Sequence, residues 1–119
     1  MFQFLNRTPS APALSAADAI AAGDEVILVD IRELGEVRAS GMARGAIHIP
    51  LMMLQFRADP RHPDYDARLK PDARICLYCA SGGRAGSALG IMRQLGYSDV
   101  HNIGGLAHWA RAGGEVVKA

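Results

Sequence analysis

The sequence predicts an α/β domain built on a mostly parallel sheet. Short apolar runs rich in β-branched residues alternate along the chain with segments of helical character, a pattern typical of right-handed βαβ crossovers between parallel strands. Several of these runs are apolar without a break, which suits strands that are buried on both faces of a sheet. The chain has 119 residues, the size of one domain with its own core. We therefore expect residues 1–119 to form a single domain.

Composition and charge exclude several classes of function. The chain carries 13 Lys+Arg against 12 Asp+Glu, and 50% of its residues are apolar, which is typical of a globular protein. A formal charge of +1 provides no field that would attract nucleic acid. No apolar run approaches the roughly 20 residues of a membrane span, and the N-terminus lacks the pattern of a secretion signal. We expect a cytoplasmic protein with no nucleic-acid or membrane partner.

The first part of the chain predicts a lead-in, a helix and a strand. Residues 1–12 are expected to form an extended lead-in, because two prolines interrupt the region. Ser15 and Asp18 resemble a capping box, which indicates a helix over 16–22. A continuous apolar run at 26–29 then predicts a buried strand that ends at Asp30.

Two helices and a second strand are predicted next. Residues 32–40 are typical of a short polar helix, and residues 46–49 of a short strand that a proline ends. Residues 51–56 predict a helix that is apolar on most sides. We expect Met52 and Met53, which lie in that helix, to belong to the core, with the mouth of a pocket as the alternative.

The remaining elements follow an irregular segment at 58–71, which contains three prolines and three aspartates. Residues 74–79 predict a third strand, and residues 99–103 a last strand before a short helix that carries Trp109. The helix between these strands should end at Gly96. Its apolar positions recur at helical spacing: Ala85, Ala88, Leu89 and Met92.

The candidate catalytic residue is Cys79. Ligands of parallel sheets bind at the carboxyl ends of strands, and both Asp30 and Cys79 lie at such ends. Cys79 is followed by small residues and then by Arg84 at the start of a helix. A helix N-terminus, a glycine-rich turn and an arginine all favour an anion. We therefore expect the pKa of Cys79 to be lowered and an anion to bind beside its sulfur.

Cys76 offers an alternative, a C-x-x-C redox pair with Cys79, which we reject. Residues three apart on a strand point to opposite faces, and their Cα atoms lie about 10 Å apart, too far for a disulfide. We expect Cys76 to be a core residue. None of the four histidines has metal-ligand spacing, so no metal or other cofactor is predicted.

Five segments together resemble the rhodanese-homology family in its single-domain form. Residues 79–84 match the active-site pattern C-x-x-G-x-R. Residues 28–33 resemble the family's first motif, and residues 41–50 are similar to its G-H-I-P-G-A-x-x-I-P segment. Residues 95–97 and 103–113 resemble the closing L-G-Y and G-G…W…G patterns. Each segment alone is a weak signal, but five in order at fitting spacings are specific.

The resemblance implies a three-layer α/β sandwich around a five-stranded, mostly parallel sheet. It also implies a sulfurtransferase that moves sulfur from a small-molecule donor such as thiosulfate to cyanide or a thiol, including a protein thiol, through a persulfide on Cys79. Arg84 would hold the loop and attract an anionic donor, while Asp30 and Arg32 would lie beside the loop as supporting residues. The residues implied to bind substrate are consecutive: Ala80, Ser81, Gly82, Gly83, Arg84 and Ala85.

The chain departs from the family pattern at four positions. Met42 and Arg44 stand where the family usually has His and Pro, which affects local packing. Ala80 and Ala85 replace an Arg and a Ser that are common in the loop. The loop therefore lacks a second positive charge, so we expect only modest activity with thiosulfate.

Two other functions stay open. Related folds carry phosphatase or arsenate reductase chemistry on a loop with five residues between Cys and Arg, whereas only four separate Cys79 from Arg84. The shorter loop favours a single sulfur over a tetrahedral phosphoryl group. The chain could also be a non-catalytic sulfur carrier or regulatory module.

Overall fold

The computed structural model describes residues 14–119, and the lead-in predicted at 1–12 lies outside them. Its helices are α1 (Ala16–Ala22), α2 (Leu34–Ser40), α3 (Leu51–Arg57), α4 (Gly83–Gln94) and α5 (Leu106–Arg111). Its strands are β1 (Ile27–Asp30), β2 (Met42–Ala43), β3 (Ile47–His48), β4 (Ile75–Cys79), β5 (Val100–Gly105) and β6 (Val116–Val117). None of the helices over 14–119 has the length and apolar character needed to cross a membrane.

The central sheet confirms the predicted fold class. Its strands lie in the order β3–β1–β4–β5 and all pairs are parallel. Residues 14–119 contribute four strands to this sheet, whereas the resemblance implies five. Since β4 lies between β1 and β5 and all five of its residues are buried, its continuous apolar sequence is explained by packing on both faces.

Helices cover both faces of the sheet, as expected for three layers. On one face, α3 and α4 pack against β1, β3 and β4 through a core that includes Leu54, Leu77 and Met92. On the other face, α1 and α5 pack through a second core that includes Ala19 and Trp109. Neighbouring residues of β4 therefore belong to different layers.

The helix ends follow the sequence signals. The Ser15 hydroxyl accepts a hydrogen bond from the Asp18 N–H at 3.1 Å, and the Ser15 N–H donates to the Asp18 carboxylate at 2.9 Å, which confirms the capping box. Helix α4 ends before Gly96, whose φ of +103° lets the Tyr97 N–H donate back to the Met92 carbonyl at 3.1 Å. This is the reversal that a glycine after a helix permits.

Two features differ from the sequence prediction. Strands β2 and β6 pair antiparallel in a separate sheet, with Met42 opposite Val117, and neither strand was predicted. The assignment of Met52 and Met53 to the core is wrong, because they are 76% and 40% exposed. Helix α3 buries Leu54 completely in the core. The two methionines that precede Leu54 therefore lie on sides of the helix that face outward.

Candidate active site

Cys79 ends the central strand of the sheet, where the polypeptide turns into α4. Its side chain is 1% exposed and belongs to the core on the α4 face. The chain leaves the sheet through Ala80, Ser81 and Gly82 before α4 begins at Gly83. The sulfur therefore lies at the carboxyl edge of the sheet, beneath the first turn of a helix.

The loop places backbone N–H groups against this sulfur. Gly82 adopts a φ of +104°, a conformation that glycine tolerates best, and its N–H donates a hydrogen bond to Cys79 Sγ at 2.9 Å. Because Gly82 precedes α4, the donors of the first helical turn also face the cysteine. The turn thus surrounds one sulfur atom with donors.

These donors stabilise the thiolate. Burial by itself raises the pKa of Cys79, but hydrogen bonds from the backbone N–H groups of Ala85, Ser81, Gly82 and Arg84 lower it and outweigh burial. The net pKa of Cys79 lies below its ordinary value. A thiolate that is held in this way is a nucleophile at lower pH than an ordinary cysteine.

Strand β5 holds the loop from the side. The Asn102 side-chain amide donates to the Gly82 carbonyl at 2.9 Å, and its oxygen accepts the Gly104 N–H at 2.8 Å. Gly105 is opposite Cys79 in the sheet, and its lack of a side chain lets the strand lie against Ala80. Asn102 was not predicted from the sequence, although its position two residues before a pair of glycines was a usable signal.

The Arg84 guanidinium is bound by Glu36 of α2. Two nitrogens of Arg84 donate to the two carboxylate oxygens of Glu36 at 2.6 and 2.8 Å. The hydrogen bonds from Arg84, followed by one from the Glu33 N–H, lower the pKa of Glu36 to about 2. This bidentate pair joins α2 to the start of α4. Arg84 was predicted to hold the loop and to attract the donor, and its partner Glu36 was not predicted.

Asp30 and Arg32 form a buried ion pair at the carboxyl end of β1. Arg32 donates to the Asp30 carboxylate at 2.8 Å, and their side chains are 3% and 0% exposed. The Tyr78 hydroxyl donates to Asp30 at 2.7 Å and accepts the Ala43 N–H at 2.8 Å. Because Tyr78 and Cys79 are neighbours on β4, this network lies on the opposite face of the sheet from the cysteine sulfur. Residues 79–85 thus surround the sulfur, whereas the side chains of Asp30 and Arg32 bind each other on the opposite face of the sheet.

Cys76 lies in the second core, on the Tyr78 face of β4. Both cysteines are free thiols, and burial raises the pKa of Cys76 to about 11. The expectation of a core residue is confirmed. Over residues 14–119, we find no group of three or more histidine, cysteine or acidic side chains that could bind a metal ion.

Comparison with known proteins identifies related chains. The family described as rhodanese-like domain matches residues 13–112. The thiosulfate sulfurtransferase PspE of Escherichia coli is 36% identical over 63 residues, which cover 53% of this chain and 55% of PspE. The match therefore spans about half the length of that relative.

Two solved structures share the fold. A protein of unknown function from Rhodopseudomonas palustris, described as a possible tyrosine phosphatase, is 33% identical with a TM-score of 0.79, over 88% of this chain and 83% of its own. The human single-domain sulfurtransferase TSTD1 is 26% identical with a TM-score of 0.68, over 86% of this chain and 97% of its own.

Proposed function

The chain belongs to the rhodanese-like domain family, and from that premise we propose that it is a sulfurtransferase whose Cys79 carries sulfane sulfur as a persulfide. The observation that supports this most directly is the hydrogen bond of 2.9 Å from the Gly82 N–H to Cys79 Sγ. It belongs to the set of backbone donors that lower the pKa of the thiol. The same donors suit a persulfide anion, whose charge lies one bond further out.

The reaction has two halves. In the first, the Cys79 thiolate attacks the outer sulfur of a donor such as thiosulfate. A bond forms between Sγ and that sulfur, and the S–S bond of the donor breaks with its electron pair leaving on sulfite. In the second, cyanide or a thiol attacks the outer sulfur of the persulfide and carries it away. The electron pair returns to Sγ, which regenerates the thiolate.

The residues around Cys79 hold the reacting groups and the loop in place. Residues 80–85 are proposed to bind the donor molecule, and the backbone N–H groups of Ser81, Gly82, Arg84 and Ala85 face the sulfur. Arg84 fastens the loop to α2 through Glu36. Asp30 and Arg32 hold the opposite face of the sheet through their buried ion pair. The proposed partners are a small-molecule sulfur donor and a thiol acceptor.

A phosphatase is the second candidate, because a relative at 33% identity is described as a possible tyrosine phosphatase. Only four residues separate Cys79 from Arg84, one fewer than in the phosphatase loop. The two terminal nitrogens of the Arg84 guanidinium, which would hold a phosphoryl group, bind Glu36 instead. We therefore expect no release of phosphate from p-nitrophenyl phosphate under conditions in which thiosulfate releases sulfite. Phosphate release without sulfite release would favour the phosphatase.

Intact mass spectrometry tests the persulfide directly. After treatment with thiosulfate, the protein should gain one sulfur, about 32 Da, and lose it again on addition of cyanide. Cys79→Ser should abolish the gain, whereas the matched variant Cys76→Ser should keep it because Cys76 lies on the other face of β4. Repeated turnover, measured as thiocyanate, distinguishes an enzyme from a carrier that is labelled only once.

A further inference from the structure

The charged side chains at the entrance to the Cys79 loop, where the start of α2 meets the start of α4, sum to a small negative charge. Arg84 is the cation of the loop, and Glu36 neutralises it through two short hydrogen bonds. A second carboxylate, Glu33, is exposed at the start of α2, and its backbone N–H donates to the Glu36 carboxylate at 3.0 Å, which places this residue beside the Glu36–Arg84 pair. The nearby Arg32 adds no free positive charge, since it is buried against Asp30 at 2.8 Å. The carboxylates therefore outnumber the cations around this entrance.

This excess of negative charge disfavours the binding of a dianion beside Cys79. Thiosulfate brings two negative charges to the loop, whereas a thiosulfonate or an ionised organic persulfide brings one. The backbone N–H groups can stabilise charge on the sulfur itself. The second charge of thiosulfate lies on its sulfonate, beyond the transferred sulfur, and Arg84, which could bind that charge, is already bound by Glu36. Like charges at separations below a Debye length repel measurably in water.

We propose that Glu33 and Glu36 make this site select sulfane-sulfur donors of one negative charge or none, such as thiosulfonates and organic persulfides, over thiosulfate. This specificity rests on the proposed sulfur transfer at Cys79. Glu36 acts by neutralising Arg84, and Glu33 acts through its exposed charge. Neither residue takes part in bond making or breaking.

Two matched donors measure this selection. Thiosulfate and methanethiosulfonate both give up their outer sulfur to a thiolate, and the broken S–S bond leaves its electrons on sulfite or on methanesulfinate. They differ by one negative charge beside the transferred sulfur. The readout is the ratio of second-order rate constants for persulfide formation on Cys79, methanethiosulfonate over thiosulfate, followed by intact mass.

Glu33→Gln is the main variant, because it removes one charge without breaking the Glu36–Arg84 pair. We expect it to lower the ratio about threefold to tenfold by accelerating the reaction with thiosulfate. Glu36→Gln should lower the ratio further by freeing Arg84. The control is Glu115→Gln, the same chemical change at an exposed glutamate that pairs with Arg44, which should leave the ratio unchanged.

The outcomes separate this specificity from the reaction itself. In the wild type, raising the salt concentration should lower the ratio as well, because screening weakens the repulsion of thiosulfate. If Glu33→Gln leaves the ratio within the range of Glu115→Gln while both donors still add sulfur to Cys79, the selection by charge is wrong and the proposed function stands. If neither donor adds sulfur to wild-type Cys79, the proposed function fails and the specificity with it.

Discussion

Replacing Gly105 by alanine should displace the Cys79 loop without changing any functional group. A Cβ at this position would lie 2.6 Å from the Ala80 carbonyl carbon, closer still to its oxygen, and 3.1 Å from the Ser81 nitrogen. Gly105 has a φ of −122°, which alanine adopts freely. The effect is therefore purely steric, and the backbone atoms that stand in the way cannot rotate aside as a side chain would.

The expected magnitude follows from the size of the overlap. Ordinary contacts of a Cβ lie beyond about 3.4 Å, so the loop or the strand must move by about 1 Å. Overpacking of this kind costs about 1–3 kcal/mol of the free energy of unfolding. The hydrogen bond of 2.9 Å between the Gly82 N–H and Cys79 Sγ is part of the displaced loop, and a shift of about 1 Å in an active site can cost about 100-fold in rate.

Two assays measure these effects, urea unfolding for stability and intact mass for the rate of persulfide formation. The matched control is Gly90→Ala in α4, where a Cβ meets nothing within 4 Å. It should stabilise the helix by about 0.5–1 kcal/mol and leave the rate unchanged. If Gly105→Ala unfolds like the wild type and forms the persulfide equally fast, the close approach of β5 to the loop does not matter for this chemistry.

Three further outcomes are expected. Tyr78→Phe should lower the free energy of unfolding by about 1–3 kcal/mol, because it leaves the buried Ala43 N–H without its acceptor; equal urea midpoints for variant and wild type would contradict this. The thiolate absorbance of Cys79 near 240 nm, taken as wild type minus Cys79→Ser, should appear at lower pH than the ordinary cysteine value of about 8.5. Asn102→Ala should raise the pH at which this absorbance appears, because it removes the hydrogen bond that holds the Gly82 carbonyl. Asp66, whose pKa is lowered to about 2 chiefly by the Arg68 side chain, stabilises the fold above its unfolded pKa of about 3.9. That contribution, about 1–2 kcal/mol, should be lost as the pH falls from about 4 to 2, and Asp66→Asn should remove this part of the acid dependence.

Local sequence predicted the elements well, because their signals lie within a few residues. The apolar run of β4 reflects burial on both faces of the sheet. The glycine after α4 reflects the left-handed turn that ends the helix. The position of Cys79 before a turn of small residues likewise predicted donors around its sulfur. These features depend on backbone geometry, which short segments encode.

Contacts between distant segments could not be predicted in the same way. Glu36 and Arg84 are 48 positions apart, and Asn102 and Gly82 are 20 apart; they meet only because β1, β4 and β5 lie side by side in a particular register. The pairing of β2 with β6 involves strands of two residues, too short to show alternation. The outward position of Met52 depends on which side of α3 meets the sheet.

The opposite orientation of the two thiols decides where a transferred sulfur can go. In a protein with a second cysteine within reach, that thiol could attack the persulfide, expel the extra sulfur as sulfide and close a disulfide. Here Cys76 points into the other layer of the domain, and burial keeps it protonated. In the proposed reaction, sulfur bound at Cys79 would therefore have no internal exit through Cys76, and an acceptor from outside would have to remove it.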